Sequence, residues 1–147
     1  MKLISHRGNI DGKKPQYENS KKYCQEAIDA GYNVEIDVWY TDTSARTCWW
    51  TGHDTPQYRI NPDFFLKPEV WCHAKNIQAL YRLHEMDAHC FFHQRDAVTL
   101  TTEGYLWTFP LEELTPNSIM VLPELQLDYT NINNIAGICS DFVEEYK

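Results

Sequence analysis

The sequence predicts a single α/β domain, on three observations. Short apolar runs alternate with helix-like stretches along the chain, with no internal repeat, low-complexity tract or Pro/Gly/Ser linker between them. Val34-Glu35-Ile36-Asp37-Val38 is a strict alternation, the mark of a strand with one apolar and one charged face. At 147 residues, 43% hydrophobic and 14% aromatic, the chain can build one core and is too short for two ordinary domains. Residues 1–147 are therefore read as one unit.

In chain order, Lys2 to Ser5 is a strand ending at His6, and a polar loop from Asn9 to Gln16 leads to a helix from Glu18 to Ala30, closed by Gly31. Asn33 to Tyr40 is the second strand. Thr47 to Thr51 is a strand delivering Gly52-His53-Asp54, and Val70 to Ala74 is one delivering Lys75. Ile77 to Met86 reads as a helix, and strands follow at His89 to His93, Tyr105 to Phe109, Ile119 to Leu122 and Ile135 to Cys139.

Composition removes several classes of function. No apolar run reaches the ~18 residues of a membrane-spanning helix. Thirteen Lys and Arg against 21 Asp and Glu leave a net charge of −8 with no basic patch, which repels nucleic-acid backbones and anionic membranes. Cys24, Cys48, Cys72, Cys90 and Cys139 are odd in number and form no CxxC pair, so they read as buried reduced thiols. His6-Arg7-Gly8 interrupts the N-terminus before any apolar leader core, and a cytoplasmic location is expected.

Glu35 and Asp37 stand two apart on one strand face. The plainer meaning of such a pair is an edge strand whose charged face meets water. If the face lines a cavity instead, the pair supplies two adjacent hard oxygen ligands for a divalent cation, which also relieves their mutual repulsion. The neighbouring strand ends favour the second reading. His6-Arg7-Gly8 follows the first strand and His53-Asp54 comes after the second, so two proton carriers and a guanidinium fall where α/β folds build their sites.

His6-Arg7-Gly8, Glu18-Asn19, Glu35-Ile36-Asp37 and Gly52-His53-Asp54, in that order, resemble the motifs of the glycerophosphodiester phosphodiesterase family, and Ser140-Asp141 is similar to its closing motif. The resemblance covers the N-terminal third well and is scattered beyond it. It implies a TIM-type (β/α) barrel of parallel strands, here compact or incomplete, because such barrels usually take ~250 residues. With so little chain to cover the outside, apolar surface is expected to remain exposed and to pair in a homodimer. The resemblance further implies one divalent metal ion, Mg²⁺ or Ca²⁺, on Glu35 and Asp37. The family carries a Glu-x-Lys at the end of strand three, where this chain has His73-Ala74-Lys75. An imidazole removes one negative charge and shifts preference towards Mn²⁺. Either His73 is the third ligand or Glu124, at the end of a later strand, takes its place.

The chemistry implied is cleavage of a small-molecule or polymer phosphodiester, whose transition state gathers negative charge on its oxygens. Arg7 and Lys75 would bind phosphate, with His6 as base and His53 as acid. A cyclic-phosphate intermediate and direct hydrolysis both stay open. The alternative is a non-catalytic phosphate-binding or interaction module on a reduced barrel, which His73 favours and the retention of two histidines disfavours. Trp49, Trp50, Trp71 and Trp107 read as core. His93 divides evenly between cavity and surface, His84 and His89 read as solvent-facing or capping residues, and Tyr17, Tyr105 and Tyr129 carry no motif.

Overall fold

The computed structural model describes residues 1–126 and 132–147; Tyr129 lies outside them. The described strands are β1 (Lys2–His6), β2 (Asn33–Thr43), β3 (Arg46–Thr51), β4 (Tyr58–Arg59), β5 (Val70–Ala74), β6 (Cys90–Phe91), β7 (Val98–Leu100), β8 (Leu106–Thr108), β9 (Ser118–Val121) and β10 (Gly137–Ser140). The α-helices are α1 (Lys21–Asp29) and α2 (Ile77–Glu85). Helix α1 starts at Lys21 and not at Glu18, because Asn19 has a left-handed backbone (φ 64°) that a helix cannot contain. Ser20 caps it, its Oγ accepting from Tyr23 N at 3.3 Å. Asn76 does the same for α2, accepting from Ala79 N at 2.9 Å.

All strands join one sheet. Across β6–β5–β2–β1–β10–β9–β8 every neighbour is parallel. Beyond its parallel partners β2 continues into an antiparallel hairpin with β3, which carries β4, and β7 folds back antiparallel on β8. The sheet curls: Trp71 of β5 and Phe91 of β6 reach Trp107 of β8, with ring centroids 6.1 and 4.5 Å apart. Its ladder stays open. Among the described residues the edge of β6 is met by isolated bonds, from Thr102 N to Cys90 O (2.9 Å), from Cys90 N to Thr102 Oγ1 (3.0 Å) and, just past the strand, from Thr99 Oγ1 to Phe92 O (3.0 Å).

This corrects the expected TIM-type barrel of parallel strands. The sheet is mixed, its ladder is not closed, and the described residues hold two α-helices where such a barrel has eight. The physical reason is length: chain that would build crossover helices goes into the β2–β3–β4 extension and the β7–β8 hairpin. No helix among the described residues is long and apolar enough to cross a membrane.

Alternation divides the interior in two. Inside the curl lie Ile4, Trp71, Phe91, Trp107, Ile119, Val121 and Cys139. On the outside, Val34, Ile36 and Val38 of β2 and Val70, Cys72 and Ala74 of β5 pack with Cys24 of α1, Ala79 and Leu83 of α2, and Phe64 and Phe65. The apolar outward residues of β2, β5, β9 and β10 are thus buried within one chain, Met120 and Ile138 included, while Val98 and Leu100 of β7 and Ile77 of α2 stay exposed.

Candidate functional site

Because Val34, Ile36 and Val38 are drawn outward to the helices, Glu35 and Asp37 must point into the curl, where they are 2% and 0% exposed. The parallel register sets Asp37 beside His73 of β5. His73 Nδ1 lies 3.1 Å from Asp37 Oδ1 and 3.7 Å from Glu35 Oε1. The three side chains can present one ligand atom each within 4.8 Å of one another. Two hard oxygens and an imidazole are a donor set that suits a divalent cation. Asp37 Oδ1 is buried without an aligned hydrogen bond and so has a lone pair to offer.

The two carboxylates differ in charge balance. Burial would raise Asp37, but the close His73 ring, Arg7 and Lys75 outweigh it and hold this carboxyl well below the usual range. Its partners are Arg7 Nε at 3.0 Å, Lys75 Nζ at 3.5 Å and the Asn19 amide, whose Nδ2 donates at 2.9 Å. Glu35 goes the other way: burial, then the Asp37 charge, push it up against the pull of His6, His73 and Arg7.

Arg7, the first residue beyond β1, adopts φ 56°, a left-handed backbone that costs a non-glycine residue ~1–2 kcal/mol. In that conformation its N–H bonds Glu35 O at 3.0 Å and its guanidinium reaches Asp37. Asn19, also left-handed, donates its N–H to Arg7 O at 3.0 Å, and its Oδ1 accepts from Asp37 N at 2.8 Å. The Glu18-Asn19 motif therefore positions Arg7 and Asp37, with Glu18 3.4 Å from the Arg7 guanidinium.

His6 closes β1 with its Nδ1 2.7 Å from Asp141 Oδ1, which turns Nε2 towards the cavity, 3.9 Å from Glu35. Burial lowers the pKa of His6, yet the Asp141 hydrogen bond and the Glu35 charge prevail and raise it. Asp141 is itself held: Asn9 donates to its carboxylate at 2.8 Å, and its N–H donates to Glu124 at 2.8 Å. Glu124 also accepts from Ser140 Oγ at 3.0 Å. Glu124 is not brought to the donor cluster: both its oxygens serve the β10 end, and among the described residues the side chains that could share a cation are Glu35, Asp37 and His73. Asn9 was missed; only its place in the polar loop just past His6-Arg7-Gly8 pointed to it.

His53 lies just beyond β3, in the connection to β4. Gly52 N donates to Asp37 O at 3.1 Å, and the Trp39 indole N–H donates to Gly52 O at 2.7 Å, which fixes the corner that delivers it. The His53 side chain is 44% exposed, its Nδ1 2.7 Å from Asp54; burial and the Arg7 charge push its pKa down. A cavity of about 580 Å³ gathers His6, Arg7, Glu35, His53, His73 and Lys75 on one wall. His93 lines it as well, stacked on His73 with centroids 4.4 Å apart, and burial pushes its pKa down to about 4.

Among the other aromatics, Trp71 and Trp107 are core, and Trp107 also lines the cavity. His89 is buried rather than solvent-facing. Its Nε2 lies 2.9 Å from Thr101 Oγ1 and its ring centroid 4.0 Å from that of Trp71. Compared with protein-family models, curated proteins and solved structures, the chain finds no match.

Proposed function

We propose that the protein is a metal-dependent phosphodiesterase that cleaves a glycerophosphodiester-like P–O bond by two-histidine acid/base catalysis. One observation carries the reading. Two histidines on different supports, His6 on β1 and His53 just beyond β3, share a cavity with the cations Arg7 and Lys75 and with Glu35 and His73, two of the three donor residues, beside which the third, Asp37, lies buried. Glu35, Asp37 and His73 would hold the divalent ion, which when bound would polarise a phosphoryl oxygen. Arg7 and Lys75 neutralise the remaining non-bridging charge. Asp141 fixes the His6 ring by its Nδ1, so that Nε2 takes the proton of the attacking hydroxyl. His53, partly open to solvent, gives a proton to the departing alkoxide. Five unpaired, buried cysteines support a reducing, cytoplasmic location.

A second reading has its own support. Arg7, Lys75 and His73 already surround Asp37, so that carboxylate has counter-charge without a metal, as a non-catalytic phosphate-binding module would require. An assay separates the two: hydrolysis of bis(p-nitrophenyl) phosphate and of an alkyl diester with Mg²⁺, Ca²⁺ and Mn²⁺ in turn. Turnover that EDTA abolishes is expected. His6→Ala should lower it ~10²–10⁴-fold on both substrates, and His53→Ala severely only on the alkyl diester, whose leaving group needs a proton. Absence of turnover with every metal would leave the binding module.

A further inference from the structure

We infer that the cavity carries a second, apolar subsite formed by Phe109, Leu122, Trp107 and Val121, and that one alcohol of the substrate is an uncharged hydrocarbon group. The inference deepens the phosphodiesterase reading and rests on it for the opposite wall.

The position just beyond a strand end recurs around the cavity mouth with opposite chemistry. Beyond β1 and β5 stand Arg7 and Lys75; beyond β8 and β9 stand Phe109 and Leu122. Alternation supplies the floor between them, because β8 and β9 send Trp107 and Val121 inward in the same sense as the buried Ile119. Both floor residues are buried, whereas Phe109 and Leu122 are only partly so and offer surface to a ligand. His93, edge-on to Phe109 with centroids 4.8 Å apart, joins the two walls.

Leu122 is held there against its backbone preference. It adopts φ 47°, ψ 56°, a left-handed conformation that Gly or Asn would enter at less cost. Its N–H is anchored on Cys139 O at 2.7 Å. A strained residue at a cavity rim is the usual sign that its side chain is needed where it points.

The wall also says which alcohol it suits. Phe109, Val121 and Leu122 have no hydrogen-bonding side-chain group, so a polyol would lose water without replacement. Arg95, which makes no ion pair among the described residues, lines the same cavity and repels a cationic headgroup, whereas the Arg7 and Lys75 charges are balanced by Asp37. A cavity of about 580 Å³ lies within the size range of ordinary small-ligand sites and leaves room beside the phosphate.

Calorimetric titration of the full chain with methyl phosphate and hexyl phosphate tests this, in wild type, Leu122→Gly and Phe109→Ser. Each buried methylene is worth ~0.8 kcal/mol, roughly fourfold in affinity. Partial burial of the chain then gives hexyl phosphate an advantage of at least about tenfold in wild type. In each variant the hexyl-to-methyl ratio should fall at least about threefold. A merely structural role would move both affinities together and leave the ratio, and Leu122→Gly relieves backbone strain, so it tests the side chain without asking the fold to absorb a clash. Equal affinity of the two phosphates in wild type overturns the subsite, as does an unchanged ratio in both variants or failure of either phosphate to bind. A hexyl preference in a protein that cleaves no diester supports the subsite while removing the enzymatic reading.

Discussion

The two arcs of the curled sheet solve the same problem in opposite ways. In β1, β2 and β5 the upper inward positions are charged or imidazole, namely His6, Glu35, Asp37 and His73, and the outward positions of β2 and β5 are aliphatic or small and apolar. In β8, β9 and β10 the inward positions are Trp107, Ile119, Val121 and Cys139, while Thr108, Ser118 and Ser140 sit outward among Met120 and Ile138. An arc that turns charge into the curl must find its hydrophobic burial on the other face, and α1 and α2 lie behind β2 and β5 for that reason. An arc that turns its apolar side chains inward needs less cover, and short hydroxyl side chains satisfy one another there, as Thr108 Oγ1 does on Ser118 Oγ at 3.3 Å. Two helices suffice because only one arc requires them.

Three stability measurements bear on this contrast, taken from the largest expected effect to the smallest. Asp37→Asn should cost about 3–5 kcal/mol in urea unfolding at neutral pH, since it leaves the Lys75 ammonium without its counter-charge and the Arg7 guanidinium with Glu18 alone. Glu35→Gln should be neutral or stabilising. Its folded-state pKa is raised, so its ionised form is a cost above the ordinary carboxyl pKa, and the amide removes it. Equal losses would mean that the inward face is not divided as described. On the outer faces, Leu83→Ala beneath the helix-backed arc should cost about 2–5 kcal/mol, and Thr108→Val on the other arc about 1 kcal/mol or less. A Thr108 variant as costly as Leu83→Ala would erase the distinction between the arcs.

The smallest effect lies at the seam, where His89 at the start of β6 meets Thr101 from the loop after β7. Burial, helped by the Lys2 charge, pushes its pKa down to about 4. Between the ordinary histidine value near ~6.5 and that point, the unfolded chain takes up a proton that the folded chain refuses. Stability therefore falls as pH falls through this window, by roughly 1 kcal/mol per pH unit. His93 adds in the same sense and His6 opposes. His89→Gln, which retains a partner for Thr101, should flatten the wild-type slope in urea unfolding between pH 6.5 and 4; an identical slope would place the histidine in water.

Much of the site could be read from one dimension because its parts are local. Period-two alternation is enough to separate Glu35 and Asp37 from Val34 and Ile36, and His6, Arg7, Lys75 and His53 sit at or just past the ends of apolar runs, where strands stop. The architecture was not legible in the same way. Whether β6 bonds to β8 depends on contacts between residues far apart in sequence, and the two-residue β4 and the three-residue β7 carry too little pattern to announce themselves. Glu124 stands apart from the donor cluster for a related reason: it lies in the turn Pro123–Leu125 that follows β9, β10 lies beside β9, and the nearest groups in need of an acceptor are Ser140 Oγ and the Asp141 N–H. His89 looked exposed because the aromatic ring that covers it, Trp71, comes from a different strand.

The left-handed pair Arg7 and Asn19 also sets the timing of any encounter at this cavity. Each holds the other through a backbone bond, and both are tied to Asp37, so the guanidinium and the carboxylate reach their working positions when the chain folds. An anion that met this wall would have no loop to organise and little chain entropy to remove, because the ordering that other binding sites leave for their ligand takes place here during folding.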